Sequence, residues 1–130
     1  MIFFKKENSD IKSVCEKLDR YRYSYNYDDN NEMIIIKSDL SFDFKVNMLV
    51  GKDINEEAIE ISENSKFEAE LSKCDAMFEI KIENLDIALD EINTLIEVQG
   101  AVQDACKGYL FTPWNGNISE PWIDWLLKLR

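Results

Sequence analysis

The chain contains no histidine among its 130 residues, and this absence limits its chemistry. Histidine is the commonest general base and the commonest metal ligand in proteins. Without histidine the chain cannot form a Ser-His-Asp triad or a Cys-His nucleophile pair. The sequence therefore excludes hydrolases that depend on a catalytic histidine, and it excludes metal sites with histidine ligands.

Glycine and cysteine are also scarce. The four glycines lie far apart, at positions 51, 100, 108 and 116, so neither a GxGxxG turn nor a Walker loop can be formed. The three cysteines, Cys15, Cys74 and Cys106, include no CxxC pair. This pattern predicts reduced and mostly buried thiols, and no disulfide framework or zinc knuckle.

No long apolar run opens the chain, because Met1-Ile2-Phe3-Phe4 is followed at once by Lys5 and Lys6. Such a start is too short for a signal peptide or a membrane-spanning helix. We therefore expect a cytoplasmic protein without a membrane partner. An apolar content of 45% is enough for the core of one domain over residues 1 to 130.

Charge is the strongest positive feature of the sequence. The chain has 26 acidic and 15 basic residues, for a net charge of −11. Residues 23 to 104 hold twenty acids and six bases, a net charge of −14. Nucleic acids and anionic membranes should be repelled, whereas a cationic partner should be attracted.

Alternating apolar residues predict a mostly antiparallel sheet. In "RYRYSYNY", Tyr21, Tyr23, Tyr25 and Tyr27 recur at every second position, so a strand would place all four on one face. Two further strands follow, "EMIIIK" and "SFDFKVNMLV", separated by polar turns, and the three strands predict a meander. Residues 2 to 5, "DAMFEIKI" and "GYLFT" complete a sheet of five to six strands.

Helical spacing predicts the elements that cover this sheet. Ser9 is expected to cap an N-terminal helix. Residues 55 to 72 favour a helix broken near Asn64, with Asn55 as a candidate cap, although "AIEIS" also has the alternation of a strand. A long helix is expected over 84 to 107, with Leu89, Ile92, Leu95 and Ile96 on its inward stripe. Gln99 and Gly100 interrupt this apolar stripe, so either another backbone approaches closely there or the helix bends.

The stretch "PWNGNISEPW" holds both prolines and two of the three tryptophans. Pro113 should end a strand, and Asn115-Gly116 should reverse the chain. Ser119 or Glu120 is then expected to start a C-terminal helix that covers the sheet, with Pro121 in its first turn. The predicted fold is thus α+β, with a central meander packed by the N-terminal, long and C-terminal helices.

The tyrosine stripe has two interpretations. Tyrosine on the helix-covered face of a sheet belongs to the core. Tyrosine on an open face forms a recognition surface, because it gives rigid contact area with a polar tip. The possible aromatic surface would comprise Tyr21, Tyr23, Tyr25, Tyr27, Trp114 and Trp122.

In size, acidity and α+β pattern the chain resembles the immunity proteins that bacteria make against toxins of contact-dependent inhibition and type VI secretion. The resemblance implies a protein that covers the active site of a basic toxin domain, such as a nuclease. It also implies that the protein has no cofactor or metal and is a monomer or a weak homo-oligomer. By this analogy the partner-binding acids are Asp53, Glu56, Glu57, Glu60, Glu63, Asp86, Asp90, Glu91 and Glu97.

Two other functions remain open from the sequence. Paired carboxylates, such as Asp86 with Asp90, could serve a divalent metal or a small-ligand enzyme near the tryptophans. Asp53, Asn55 and Glu57 also have the alternate spacing of calcium-loop ligands, although the loop's central glycine is missing. Alternatively, the chain could be a scaffold subunit that self-associates through the tyrosine stripe or the terminal helix.

Overall fold

The computed structural model describes residues 1–28, 33–37 and 43–120. These ranges contain seven strands: β1 (Ile2–Phe4), β2 (Tyr25–Asp28), β3 (Met33–Ile36), β4 (Phe44–Val50), β5 (Ala76–Ile82), β6 (Tyr109–Thr112) and β7 (Asn117–Ser119). They also contain five α-helices: α1 (Ile11–Arg20), α2 (Lys52–Ser62), α3 (Glu68–Leu71), α4 (Leu85–Asp90) and α5 (Ile92–Cys106). A 3₁₀ turn spans Lys6–Asn8.

The strands form one antiparallel sheet in the order β2-β3-β4-β5-β1-β6-β7. The predicted α+β class and the β2-β3-β4 meander are confirmed, but the meander forms one side of the sheet and not its centre. The sheet has seven strands where five to six are expected, and the additional strand is β7. It follows the predicted reversal, where Gly116 has a φ of 69°, and pairs Ile118 with Phe111.

Alternation along the strands builds a core on each face of the sheet. On one face, Phe4 stacks on Phe78 with ring centroids 4.6 Å apart, in a cluster that includes Leu18 of α1 and Leu95 of α5. On the other face, Phe3 packs with Met77 and with residues of α2 and α3, namely Ile54, Ala58 and Leu71. The alternation in "DAMFEIKI" predicts that Met77 faces solvent, but Met77 is buried, because this second helical layer covers it.

The N-terminal helix is present, but its cap is Asp10 and not Ser9. The Asp10 carboxylate accepts hydrogen bonds from the Ser13 backbone N–H at 3.0 Å and from the Ser13 hydroxyl at 3.1 Å. Helix α1 packs against α5, and Lys17 Nζ lies 3.2 Å from Asp104 Oδ2 between them. This ion pair joins two of the helices that cover the first face.

The helical prediction for residues 55 to 72, with its break near Asn64, is confirmed. Asn64 has a φ of 65° between α2 and α3. Asn55, however, is not the cap, because α2 begins just after Gly51, whose φ is 125°. The Asn55 amide instead donates to the carbonyls of Ser72 and Cys74, at 2.9 and 2.7 Å, and so ties α2 to the chain after α3.

The long helix expected over 84 to 107 is two helices. They meet at Glu91, whose φ of −106° and ψ of 53° are not helical. Asn84 caps the first helix, and its side-chain oxygen accepts a hydrogen bond from the Ile87 backbone N–H at 3.2 Å. Gln99 and Gly100 both lie within α5 and are buried, so the helix continues through them.

Other predictions fall on residues outside the described ranges: the C-terminal helix over 121 to 130, with Trp122, and the turns around residues 29–32 and 38–42. Ser119 is the last residue of β7. In the described part of the chain, no helix has the length and apolar character needed to cross a membrane.

Candidate protein-binding surfaces

Helix α2 presents a row of acids on the side away from the sheet. Ile54 and Ala58 point inward, and helical periodicity places the acids on the remaining arc. Four of them are exposed and Glu57 is half-buried. We call this set the α2 surface, and its acids are Asp53, Glu56, Glu57, Glu60 and Glu63.

The second acidic surface is formed by α4, the break at Glu91 and α5. Its acids are all exposed, and no lysine or arginine occurs between positions 82 and 106. Glu97 Oε2 accepts a hydrogen bond of 2.6 Å from the Tyr23 hydroxyl. We call this set the α4–α5 surface, and its acids are Asp86, Asp90, Glu91 and Glu97.

These two surfaces lie on opposite faces of the sheet. Helix α2 packs on the face of Phe3 and Met77, whereas α4 and α5 pack on the face of Phe4 and Phe78. Consecutive strand residues point to opposite faces, so the sheet separates the two helical layers. The nine candidate acids therefore form two sites, and one flat partner surface cannot cover both.

The described residues neutralise little of this negative charge. Of the nine acids, Glu56 is the one with a salt bridge to a described residue, Lys52, at 3.9 Å. Both side chains of this pair are largely exposed, and such pairs contribute little to stability. The two surfaces thus direct a negative potential toward solvent.

Large apolar side chains are exposed beside the α4–α5 acids. Leu89 is 38% exposed, Ile92 42% and Ile96 53%, although the sequence pattern predicts all three on the buried stripe. That prediction is wrong because the break at Glu91 separates α4 from α5 and so ends the continuous stripe. Ile92 and Ile96 line a groove of about 310 Å³ with Trp114 of the β6–β7 turn.

The tyrosines do not form a single face. Tyr21 follows α1, and Arg22 has a φ of 63°, so the strand begins only at Tyr25. Tyr23 and Tyr25 pack against the core, and the Tyr25 hydroxyl donates to Asp19 Oδ1 at 3.1 Å. Tyr21, Tyr27 and Trp114 are exposed, whereas Trp122 lies outside the described ranges.

The cysteines are free thiols whose surroundings disfavour the thiolate. Burial raises the pKa of Cys74 to about 11 and that of Cys106 to about 12. Burial also raises the pKa of the half-buried Cys15. Since the thiolate is the nucleophile, these three side chains are poorly suited to nucleophilic chemistry at neutral pH.

Metal binding gains no support from the described residues. No three or more of their Asp, Glu or Cys side chains converge as a metal site would require. The calcium-loop interpretation of Asp53, Asn55 and Glu57 is wrong, because all three lie within α2 and the Asn55 amide donates to backbone carbonyls.

Sequence reasoning also missed a buried polar residue beside the groove. Gln103 Nε2 donates to the carbonyls of Gly108 and Ser119, at 3.0 Å each. These bonds fix the β6–β7 hairpin against α5. A glutamine in a helix gives no sequence signal of such a role, because most helical glutamines face solvent.

The chain matches no protein-family model, no curated protein and no solved structure.

Proposed function

We propose that this protein binds a basic protein domain and neutralises it, as the immunity proteins that it resembles do against toxins. The observation that carries the proposal is that all nine candidate acids reach solvent while only Glu56 has a salt bridge to a described residue. Neutralisation by covering an active site needs contact area and charge, and needs no catalytic group of the inhibitor's own. The proposed location is the cytoplasm.

The net charge of −11 determines which partners suit this protein. Complementary charge attracts a basic protein over a Debye length of about 8 Å at physiological salt and raises the association rate. Nucleic acid and anionic membranes carry the same sign as this surface and are repelled. A nuclease active site is basic, and it is therefore a suitable target for such an inhibitor.

The test begins with affinity capture of the tagged full chain from its native cells, at about 0.05 M and about 0.5 M salt. We expect a basic protein in stoichiometric amounts, identified by mass spectrometry, whose yield falls at high salt. The captured protein is then expressed in a host with and without this chain. Growth arrest that co-expression relieves would support neutralisation.

Two results would contradict the proposal. Captured proteins that are acidic, or whose yield is the same at both salt concentrations, would exclude electrostatic recognition. A basic partner whose expression leaves growth unchanged would keep the binding but exclude neutralisation.

A further inference from the structure

The groove beside α5 presents apolar area that the described part of the chain leaves uncovered. Ile92 and Ile96 lie one helical turn apart, at 42% and 53% exposure, and Trp114 faces the same groove at 39%. Contiguous exposed apolar patches on soluble proteins commonly mark interaction sites. Trp and other aromatic residues are frequent anchors at the centre of such sites.

Hydrogen bonds hold this groove open in a fixed shape. The Gln103 amide, which is buried, bonds the carbonyls of Gly108 and Ser119 and so joins the two walls, α5 and the hairpin. Within the hairpin, the Gly116 N–H donates to the Thr112 carbonyl at 2.8 Å. A preformed groove reduces the entropy that a partner's binding would cost.

Charge indicates the chemistry of the occupant. The exposed acids of the α4–α5 surface belong to a segment, 82 to 106, that contains no base. The base-free segment of the α2 surface is shorter, 53 to 65, and Lys52 immediately before it forms a salt bridge with Glu56, whereas none of the α4–α5 acids has a salt bridge to a described residue. An uncompensated acidic surface beside an apolar groove fits a basic segment that carries apolar anchors.

We infer that the α4–α5 surface, and not the α2 surface, binds the basic partner, with Ile92, Ile96 and Trp114 receiving its apolar anchors. This inference rests on the proposed function and specifies which of the two opposite faces performs it. The acids steer the partner and form the rim, and the groove supplies the apolar centre.

The test measures binding of a fluorescein-labelled amphipathic helical peptide of leucine and lysine to the full chain. We expect salt-sensitive binding that Ile96→Glu weakens about tenfold or more. Ile59→Glu is the matched control, because Ile59 is an isoleucine of 44% exposure on α2. It should change the affinity less than about threefold, since it lies on the opposite face.

A second pair of variants isolates the charge contribution. The first is a double variant that reverses two acids one turn apart on α4, Asp86→Lys with Asp90→Lys. The second makes the same change on α2, Glu56→Lys with Glu60→Lys. The α4 pair should slow association more than the α2 pair. The reverse order, with Ile96→Glu neutral, would overturn the inference while leaving the proposed function intact. No binding of the peptide by any form at low salt would also overturn the inference, whereas the capture and growth experiments decide the proposed function separately.

Other occupants of the groove would give different results. If the chain's own residues 121–130 filled it, Ile96→Glu would lower the melting temperature by several degrees; we expect it unchanged, as for an exposed position. If a second copy filled it, wild-type protein would sediment as a dimer and Ile96→Glu as a monomer. Either result would contradict the inference.

Discussion

Phe3 and Phe4 are neighbours in the chain, yet they belong to different cores of the protein. Phe4 stacks on Phe78 beneath α1 and α5, whereas Phe3 packs with Met77 beneath α2 and α3. Strand β1 has only three residues, yet it lies between β5 and β6 near the middle of the sheet. Helices cover β1 on both faces. The two acidic surfaces lie on the helices of opposite faces, so the sheet that contains β1 separates them.

Truncation of Phe4 should destabilise the fold severely. Phe4→Ala removes a fully packed ring and leaves a cavity, and we expect the free energy of unfolding to fall by about 3 to 5 kcal/mol. Urea denaturation measures the change. Ile59→Ala, at an exposed position, should cost about 0.5 kcal/mol or less. Equal losses in the two variants would contradict the two-core architecture.

The ion pair between α1 and α5 should contribute measurably to stability. Asp104 is a carboxylate with 8% side-chain exposure, and Lys17 lies 3.2 Å and Lys107 3.5 Å from it. Lys17→Met keeps the aliphatic stem but removes one partner, and should cost about 1 to 2 kcal/mol. A double-mutant cycle with Asp104→Asn should give a coupling energy of similar size, and a coupling near zero would show that the pair is only incidental.

Gly108 should tolerate no side chain. A Cβ there would lie 2.7 Å from the Phe3 carbonyl oxygen and 2.8 Å from Cys106 Sγ. Gly108→Ala should therefore destabilise by about 1 to 3 kcal/mol through overpacking. Gly116→Ala meets no atom within 4 Å but requires a left-handed backbone, at a cost of about 1 kcal/mol. Thermal unfolding compares the two, and a larger loss at Gly116 would contradict this packing.

The buried thiols should make stability fall at alkaline pH. Burial raises the pKa of Cys74 to about 11 and of Cys106 to about 12, from the value of 9.0 expected in the unfolded chain. The folded protein therefore holds more protons than the unfolded chain above pH 9, so stability decreases as pH rises through this window. The urea midpoint of wild type should fall more steeply with pH than that of a chain with Cys74→Ala and Cys106→Ala. Parallel curves would contradict the burial effect.

Elements with a strong periodic pattern could be predicted from the sequence. The alternation in residues 76 to 82 and the β-branched run at 33 to 36 matched their strands, and the turn at Asn115-Gly116 was recognised from its residue types. The Asn64 break also followed from local chemistry, because asparagine tolerates the left-handed conformation that it adopts there.

Features that depend on tertiary packing could not be predicted. The tyrosine alternation continued through Tyr21 and Arg22, but α1 extends to Arg20 and the chain turns at Arg22 before the strand begins. The break at Glu91 has no glycine or proline to indicate it, so Ile92 and Ile96 were assigned to the core. The nine acids were recognised as candidates, but only strand pairing shows that they form two separate surfaces.

The proposal that the acids of the α4–α5 surface recognise a basic partner is tested most directly by the association rate constant. The captured partner is mixed with wild-type protein over a range of salt concentrations, from about 0.02 to 0.5 M, in a stopped-flow experiment. We predict a rate that falls steeply with salt, and that falls again when Asp86 and Asp90 are both replaced by lysine. A rate that changes with neither salt nor charge reversal would contradict the account.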